Sequence, residues 1–398
     1  NTTAFLQNIK LFSFKNEYIL IKGIRTAAFE KITEVLEEKL HNTIVEINLT
    51  AIKNNVNVVQ ASLPKTTQLI CVLKAFGYGT GGIEIAKTLQ QESIAYIAVA
   101  YIDEAIELRL AGITTPIILL HVSETNFKQM VAYQIEPEIF SLELFICFNQ
   151  FLIKNAIQHY PIHIKINTGM NRLGFELNEL KKLGDILKNK NEVFVKTVFS
   201  HLAEPANKPF SIKQVNTFKK ATTILQKNVP YPFYKHILST SGILLYPKFT
   251  FDFVRLGIGI YGIGDNKNFE NPIHIYTTIA QIKKLKVGEN IGYGCTTKTT
   301  KPTTIAIVQI GYADGYRRNL GNGVGKMYVK NQYAPTIGNI CMDLCMIEIT
   351  DIPEVKIGDR VEVIGNHIPI TEIAEKCNTI TYEILTNIGK RIKRVYVR

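Results

Sequence analysis

From residue 44 onward, short apolar runs alternate with stretches of helical periodicity. "IVEIN" at 44–48 leads into a helix pattern over "TAIKNNVNVVQASL". Eight further runs follow: 70–73 ("ICVL"), 95–99 ("AYIAV"), 116–120 ("PIILL"), 135–140 ("IEPEIF"), 162–166 ("IHIKI"), 195–200 ("VKTVFS"), 236–239 ("HILS") and 253–256 ("FVRL"). Between them lie amphipathic segments such as "GGIEIAKTLQQ", "IDEAIELRLAG" and "SIKQVNTFKKATTILQK", with glycine or proline at several joints. Eight strand–helix units in roughly 200 residues predict an α/β chain built as a (β/α)₈ TIM barrel, over 44–275. After about residue 275 the pattern changes. "IYTTIAQIKKLKVGENIGYG", "TTIAIVQIGYADG", "DLCMIEIT" and "DRVEVIG" alternate or run β-branched, so 276–398 reads as a second, β-rich domain. The strand at 44–48 could join either part. Residues 1–43 give a strand, a glycine turn and an amphipathic helix, expected as a linker or the tail of a preceding domain.

Composition narrows the class. With 398 residues and 46% hydrophobic content, the chain can bury at least one large core. The net charge of +12 is spread along the chain, which argues against a nucleic-acid partner. The densest cluster, "GKRIKRVYVR", alternates as a half-buried strand does, and an anionic small molecule suits the charge. The six cysteines form no CxxC pair and the eight histidines no HExxH cluster, so no metal site is expected. Reduced thiols fit a cytoplasmic location. No run approaches the roughly 20 apolar residues of a membrane span, and no secretory signal opens the chain. A start on Asn1 suggests a processed product or part of a longer protein.

In such a barrel, catalytic groups gather where strands end. Lys74 ends the first of the eight runs, Lys165 the fifth, His201 the sixth, Ser239-Thr240-Ser241 the seventh, and Arg255 lies in the eighth. A strand-tip lysine can form a Schiff base if its neighbours lower its pKa. Hydroxyls of Tyr78 and Thr240, with glycine amides near Gly257, could hold a phosphate. Lysine plus phosphate cradle suggests pyridoxal phosphate.

The motifs "VLKAFGYGTG", "KINTGMNRLGF", "SHLAEPAN", "HILSTSGILLYP", "FVRLGIGIYG", "IGYGCT", "VQIGYADGYRR", "GNICMDLCMIEIT" and "TYEILTNIGKRIKRVYV" stand in the order of the alanine racemase family, which the chain resembles over 43–398. The resemblance implies that Lys74 carries pyridoxal 5'-phosphate and serves as one catalytic base. Tyr293 would be the opposite base, given by the second subunit of a head-to-tail homodimer. Arg255 would face the pyridine nitrogen, and Tyr78, Thr240, Gly257, Ile258 and Tyr382 would hold the phosphate. Arg172 would bond the cofactor's phenolic oxygen beside Lys165, a lysine carbamylated in some family members. His201 would stack near the ring. Met342, Asp343 and Tyr312 would frame the way in for the substrate, alanine, and D-alanine would supply peptidoglycan. A broad-specificity amino-acid racemase and a non-catalytic pyridoxal phosphate carrier are the alternatives.

Departures from the family pattern fall at Phe76 and Thr80 in the lysine loop, at Ser239–Gly242, and at Asn339, where an arginine is frequent. "YILIKGIRTAAFEKI" at 18–32 resembles the end of a Mur ligase, the enzyme that adds D-alanyl-D-alanine. That likeness implies a ligase–racemase fusion.

Overall fold

The computed structural model describes residues 2–9, 12, 14, 19–22, 32, 36 and 42–398 except 189. It divides into two units, Asn1–Asn42 and Thr43–Arg398. The first holds a helix, Thr2–Asn8, and a stack of Phe5, Phe12 and Phe14. The strand, turn and helix expected over 17–40, and most of the ligase-like stretch, lie outside the described residues.

The second unit opens on β1 (Ile44–Asn48) and a helix, Leu49–Ser62, capped by the Asn48 side chain. Eight parallel strands then follow: β2 (Gln68–Val72), β3 (Tyr96–Val99), β4 (Ile117–Leu119), β5 (Ile135–Ile139), β6 (Tyr160–Lys165), β7 (Val193–Phe199), β8 (Tyr234–His236) and β9 (Phe253–Leu256). Their order is β8-β7-β6-β5-β4-β3-β2-β9. Arg255 N–H donates to Leu238 O at 3.0 Å across the remaining seam, so the sheet is nearly closed, as the eight-unit count predicted. The β-branched runs suit strands covered on both faces, and Ile70, Ile97, Ile117, Ile135, Ile162 and Val195 are all buried. One run is displaced. The strand expected at 236–239 ends at His236, because Ser239 begins the helix Thr240–Leu245.

Side chains two residues apart on a strand share a face, and here the inner face is unusually polar. Glu136, His163, Thr197 and His236 form one hydrogen-bonded layer. Glu138, Lys165, Phe199 and Arg255 lie one step closer to the strand ends.

The second sheet contains β10 (Ile273–Leu285), β13 (Thr303–Val308), β14 (Lys326–Val329), β15 (Gln332–Pro335), β16 (Cys345–Glu348), β17 (Arg360–Ile364) and β18 (Lys393–Val397); a small hairpin pairs β11 (Asn290–Ile291) with β12 (Thr297–Lys298). β1 joins this sheet, antiparallel to β10 and parallel to β18. No helix among the described residues is long and apolar enough to cross a membrane.

β18 locks the barrel to the second sheet. Arg394 donates to Gly79 O from Nε (3.2 Å) and Nη2 (2.8 Å), and also to the carbonyls of Ile388, Gly389 and Ile392. Tyr396 Oη donates to Thr80 O at 3.0 Å. A half-buried fork of charge-assisted bonds is costly to remove. Arg394→Ala is expected to lower unfolding stability by about 3 kcal/mol in urea titrations. Arg394→Lys should recover only part of that, because an ammonium cannot reproduce the fork.

Candidate active site

The site begins where β2 ends. Leu73 N–H still bonds Ala98 O at 2.9 Å, and Lys74 then enters a turn of left-handed backbone. Ala75, Phe76, Gly77 and Tyr78 have φ of 54°, 55°, 58° and 54°. For non-glycine residues this conformation costs about 1–2 kcal/mol each, so the surroundings must hold it. Hydrogen bonds from several elements do so. Glu104 Oε1 accepts from Ala75 N–H at 2.5 Å and Phe76 N–H at 3.4 Å, while Oε2 accepts from Ala100 and Tyr101. Tyr261 Oη donates to Gly77 O at 2.6 Å, and Thr80 Oγ1 donates to the same carbonyl. Gly79 (φ 84°) passes so close to the helix Thr381–Thr386 that a Cβ there would stand 2.2 Å from Leu385 O. Thr80, a departure from the family pattern, therefore has a polar role inside the loop. Phe76 faces solvent.

Lys74 is half-buried at the head of this turn. Burial lowers its pKa, the Arg172 and Lys165 charges lower it further, and Glu104 and Glu138 oppose them. Arg172 sits on the loop after β6, which turns back so that Phe175 N–H bonds Lys165 O at 2.9 Å. Asn167 Oδ1 braces that loop by accepting from the amides of Gly169 and Asn171.

Arg255 is buried, and burial lowers its pKa to about 10, still cationic at neutral pH. Nη2 donates to Ser200 O (2.7 Å), Ile237 O (3.0 Å) and His201 Nδ1 (3.1 Å), and Nη1 donates to His236 Nδ1. Burial first, and then Arg255, push both histidines well below their usual range, so both are neutral acceptors here. Because arginine only donates, the direction of the whole chain is fixed. His236 Nε2–H donates to Thr197 Oγ1 (3.0 Å), Thr197 to His163 Nδ1 (2.8 Å), and His163 Nε2–H to Glu136 Oε2 (2.9 Å).

A separate cradle lies beside the lysine turn. Thr240 Oγ1 accepts from the amides of Gly257 (3.3 Å) and Gly259 (3.2 Å), at the start of the short helical turn Ile258–Tyr261. A Cβ on Gly257 would stand 2.6 Å from Tyr78 Oη, so only glycine permits this approach. The Tyr78 ring lies 5.3 Å from Tyr261 and 6.0 Å from Tyr382. Burial raises the Tyr78 and Tyr382 hydroxyls, which keeps both protonated as neutral donors. Neutral hydroxyls and backbone amides are suitable partners for a phosphate.

The remaining predicted residues form a second group in the β-rich part. Tyr293, 71% exposed, follows Gly292 and is anchored by its carbonyl, which accepts from Asn339 Nδ2 at 2.7 Å. Tyr312 N–H bonds Cys341 O, Ala313 N–H bonds Met342 O, and Asp343 pairs with Arg391 at 2.7 Å. Tyr312 and Met342 are exposed. Among the described residues, no hydrogen bond or ion pair joins this group to Lys74. Sequence reasoning missed Glu104, Glu138, His236, Tyr261 and Arg394. The readable signal was in "IEPEIF", where alternation puts Glu136 and Glu138 on one face of a barrel strand.

The chain is similar to known proteins over most of its length. A family described as the alanine racemase N-terminal domain matches residues 47–265, and the alanine racemase C-terminal domain matches 273–396. Neither adds support to the ligase resemblance at 18–32. The chain is 36% identical over 363 residues to an alanine racemase of Rickettsia canadensis (88% of this chain, 98% of the relative). It is 34% identical over 369 residues to one of Halothermothrix orenii (89% and 96%). Among solved structures, alanine racemase from Bartonella henselae with covalently bound pyridoxal phosphate aligns at a TM-score of 0.83 and 30% identity, over 89% of this chain and 99% of that one. Alanine racemase from E. faecalis aligns at 0.84 and 29%, over 90% and 98%.

The Lys74 amine is expected to react with an acylating reagent ahead of the surface lysines at about pH 8, in protein stripped of small molecules, by competitive labelling and mass spectrometry. Arg172→Leu removes a repelling cation, raises the Lys74 pKa and should slow that labelling.

Proposed function

The chain belongs to the alanine racemase family, and from that premise we propose that it interconverts L-alanine and D-alanine with pyridoxal 5'-phosphate held at Lys74. The observation that carries the reading is the convergence on one rim of a lysine with a lowered pKa, a protonated Arg255, and the Tyr78–Thr240–Gly257 cradle. These residues fit the cofactor. Lys74 would be the covalent anchor, Tyr78, Thr240, Gly257, Ile258 and Tyr382 would hold the phosphate, Arg172 would bond the phenolic oxygen, and His201 would stack near the ring. When bound, the cofactor supplies the electron sink that stabilises negative charge on the substrate's Cα.

The protein's own part is to move protons on two faces. Lys74 takes or returns a proton on one side, and its lowered pKa leaves more of the free base near neutrality. That capacity is lost as pH falls through the lowered value. Tyr293 serves the other side. Its backbone is fixed by Asn339 while its ring projects into solvent, an arrangement suited to reaching a second copy of the chain. The reading is therefore a head-to-tail homodimer in which residues 44–275 bind the cofactor and residues 276–398 complete the partner's site with Tyr293, Tyr312, Met342 and Asp343. Arg255 is surrounded by neutral acceptors and keeps its proton, so it cannot protonate the pyridine nitrogen as a carboxylic acid would. A less extreme electron sink favours clean proton return over side reactions. In this reading the reaction runs in the cytoplasm and its D-alanine supplies peptidoglycan. The ligase-like stretch at 18–32 adds no activity to it.

Purified protein is expected to racemise alanine from either enantiomer, with other amino acids turned over more slowly in the same chiral assay. Lys74→Ala should abolish the reaction, and Tyr293→Phe should reduce kcat by about 10²–10⁴. Absence of racemisation in the wild type would refute the reading, and equal rates across amino acids would replace it with a broad-specificity racemase.

A further inference from the structure

Glu138 is fully buried inside the barrel, on β5, and its Oε1 lies 2.8 Å from Lys165 Nζ on β6. Neither of its oxygens has another hydrogen-bond partner among the described residues. The cations acting on this part of the site are Lys165, Arg255 and Arg172, with Lys74 beyond them. Burial raises the Glu138 carboxyl above its ordinary range, and those cations oppose that rise without cancelling it. A buried carboxylate without a counter-charge is strongly unfavourable. The ion pair with Lys165 supplies that counter-charge.

This bears on the modification that the family resemblance implies for Lys165. Carbamylation requires the neutral amine. Its nitrogen forms a bond to the carbon of carbon dioxide, one C=O π pair moves to oxygen, and a proton leaves the nitrogen for water, giving a carbamate anion. In this chain the Lys165 amine is engaged by the Glu138 carboxylate at 2.8 Å, and a carbamate would set a second negative charge against Glu138 in a site of low dielectric. We propose that Glu138 is a positioning residue that takes the place of a carbamyl group. It keeps Lys165 unmodified and supplies the site's fixed negative charge from a glutamate side chain. The proposal rests on the racemase reading only for its activity readout.

The test is ¹³C NMR of the cofactor-loaded protein equilibrated with ¹³C-bicarbonate, alongside racemisation in buffers with and without bicarbonate. The wild type is expected to show no carbamate resonance and a rate that ignores bicarbonate. Glu138→Gln removes the counter-charge and frees the amine. It should show a carbamate resonance that Glu138→Gln/Lys165→Ala lacks, together with a loss of kcat of roughly tenfold, the scale on which outer-shell partners act at metal sites, partly restored by bicarbonate. Glu138→Asp keeps the charge and should leave Lys165 unmodified, which serves as the check should the glutamine variant fail to fold. A Lys165-dependent carbamate in the wild type or in Glu138→Asp would overturn the proposal, as would a folded Glu138→Gln with no carbamate and unchanged kcat. A wild type that fails to racemise alanine would defeat the functional reading and leave the NMR result interpretable.

Discussion

The site depends on a backbone that the local sequence alone would not hold. Three non-glycine residues after Lys74 lie in left-handed conformation, which is unfavourable by several kcal/mol on general grounds. Its bonds come from distant parts of the chain: Glu104 of the barrel, Tyr261 at its end, and Arg394 and Tyr396 from the last strand. The lysine is thus presented by the barrel and held in place by the second sheet. The same strand, β18, pairs in parallel with β1 from the opposite end of this unit.

Charge is the second organising constraint. Lys74, Lys165, Arg172 and Arg255 act on one another at the barrel mouth, and the fold manages the repulsion in two ways. Glu138 offsets part of it directly. The neutral histidines around Arg255 do the rest, taking its hydrogen bonds without adding charge and passing their direction down to Glu136. The cationic guanidinium and the lowered lysine pKa come from the same arrangement.

Much of this was readable in the sequence. Eight apolar runs predicted eight barrel strands; of the polar residues near their ends, His201 and Arg255 bond directly, while Lys74 and Lys165 act on each other through charge. The Gly257 amide donates to Thr240 Oγ1. The strand at 236–239 was misplaced because "HILS" is apolar up to a helix-starting serine, and apolarity alone does not separate a strand from the residues leading into a cap. Glu138 and Glu104 went unread because their meaning lies in partners: a carboxylate becomes a counter-ion or an amide acceptor only when non-adjacent elements meet. The separation of Tyr293 from Lys74 could not be read from one chain's pattern, since the proposed contact is between copies.

The most direct measurement is complementation between inactive variants. Lys74→Ala and Tyr293→Phe proteins, unfolded together and refolded as a mixture, would form hybrid dimers. If each site takes its lysine from one copy and its tyrosine from the other, a hybrid has one intact site, and racemisation should return to about a quarter of the wild-type rate. If both residues serve the same chain's site, no hybrid has an intact pair, and a mixture as inactive as its parents would contradict the account.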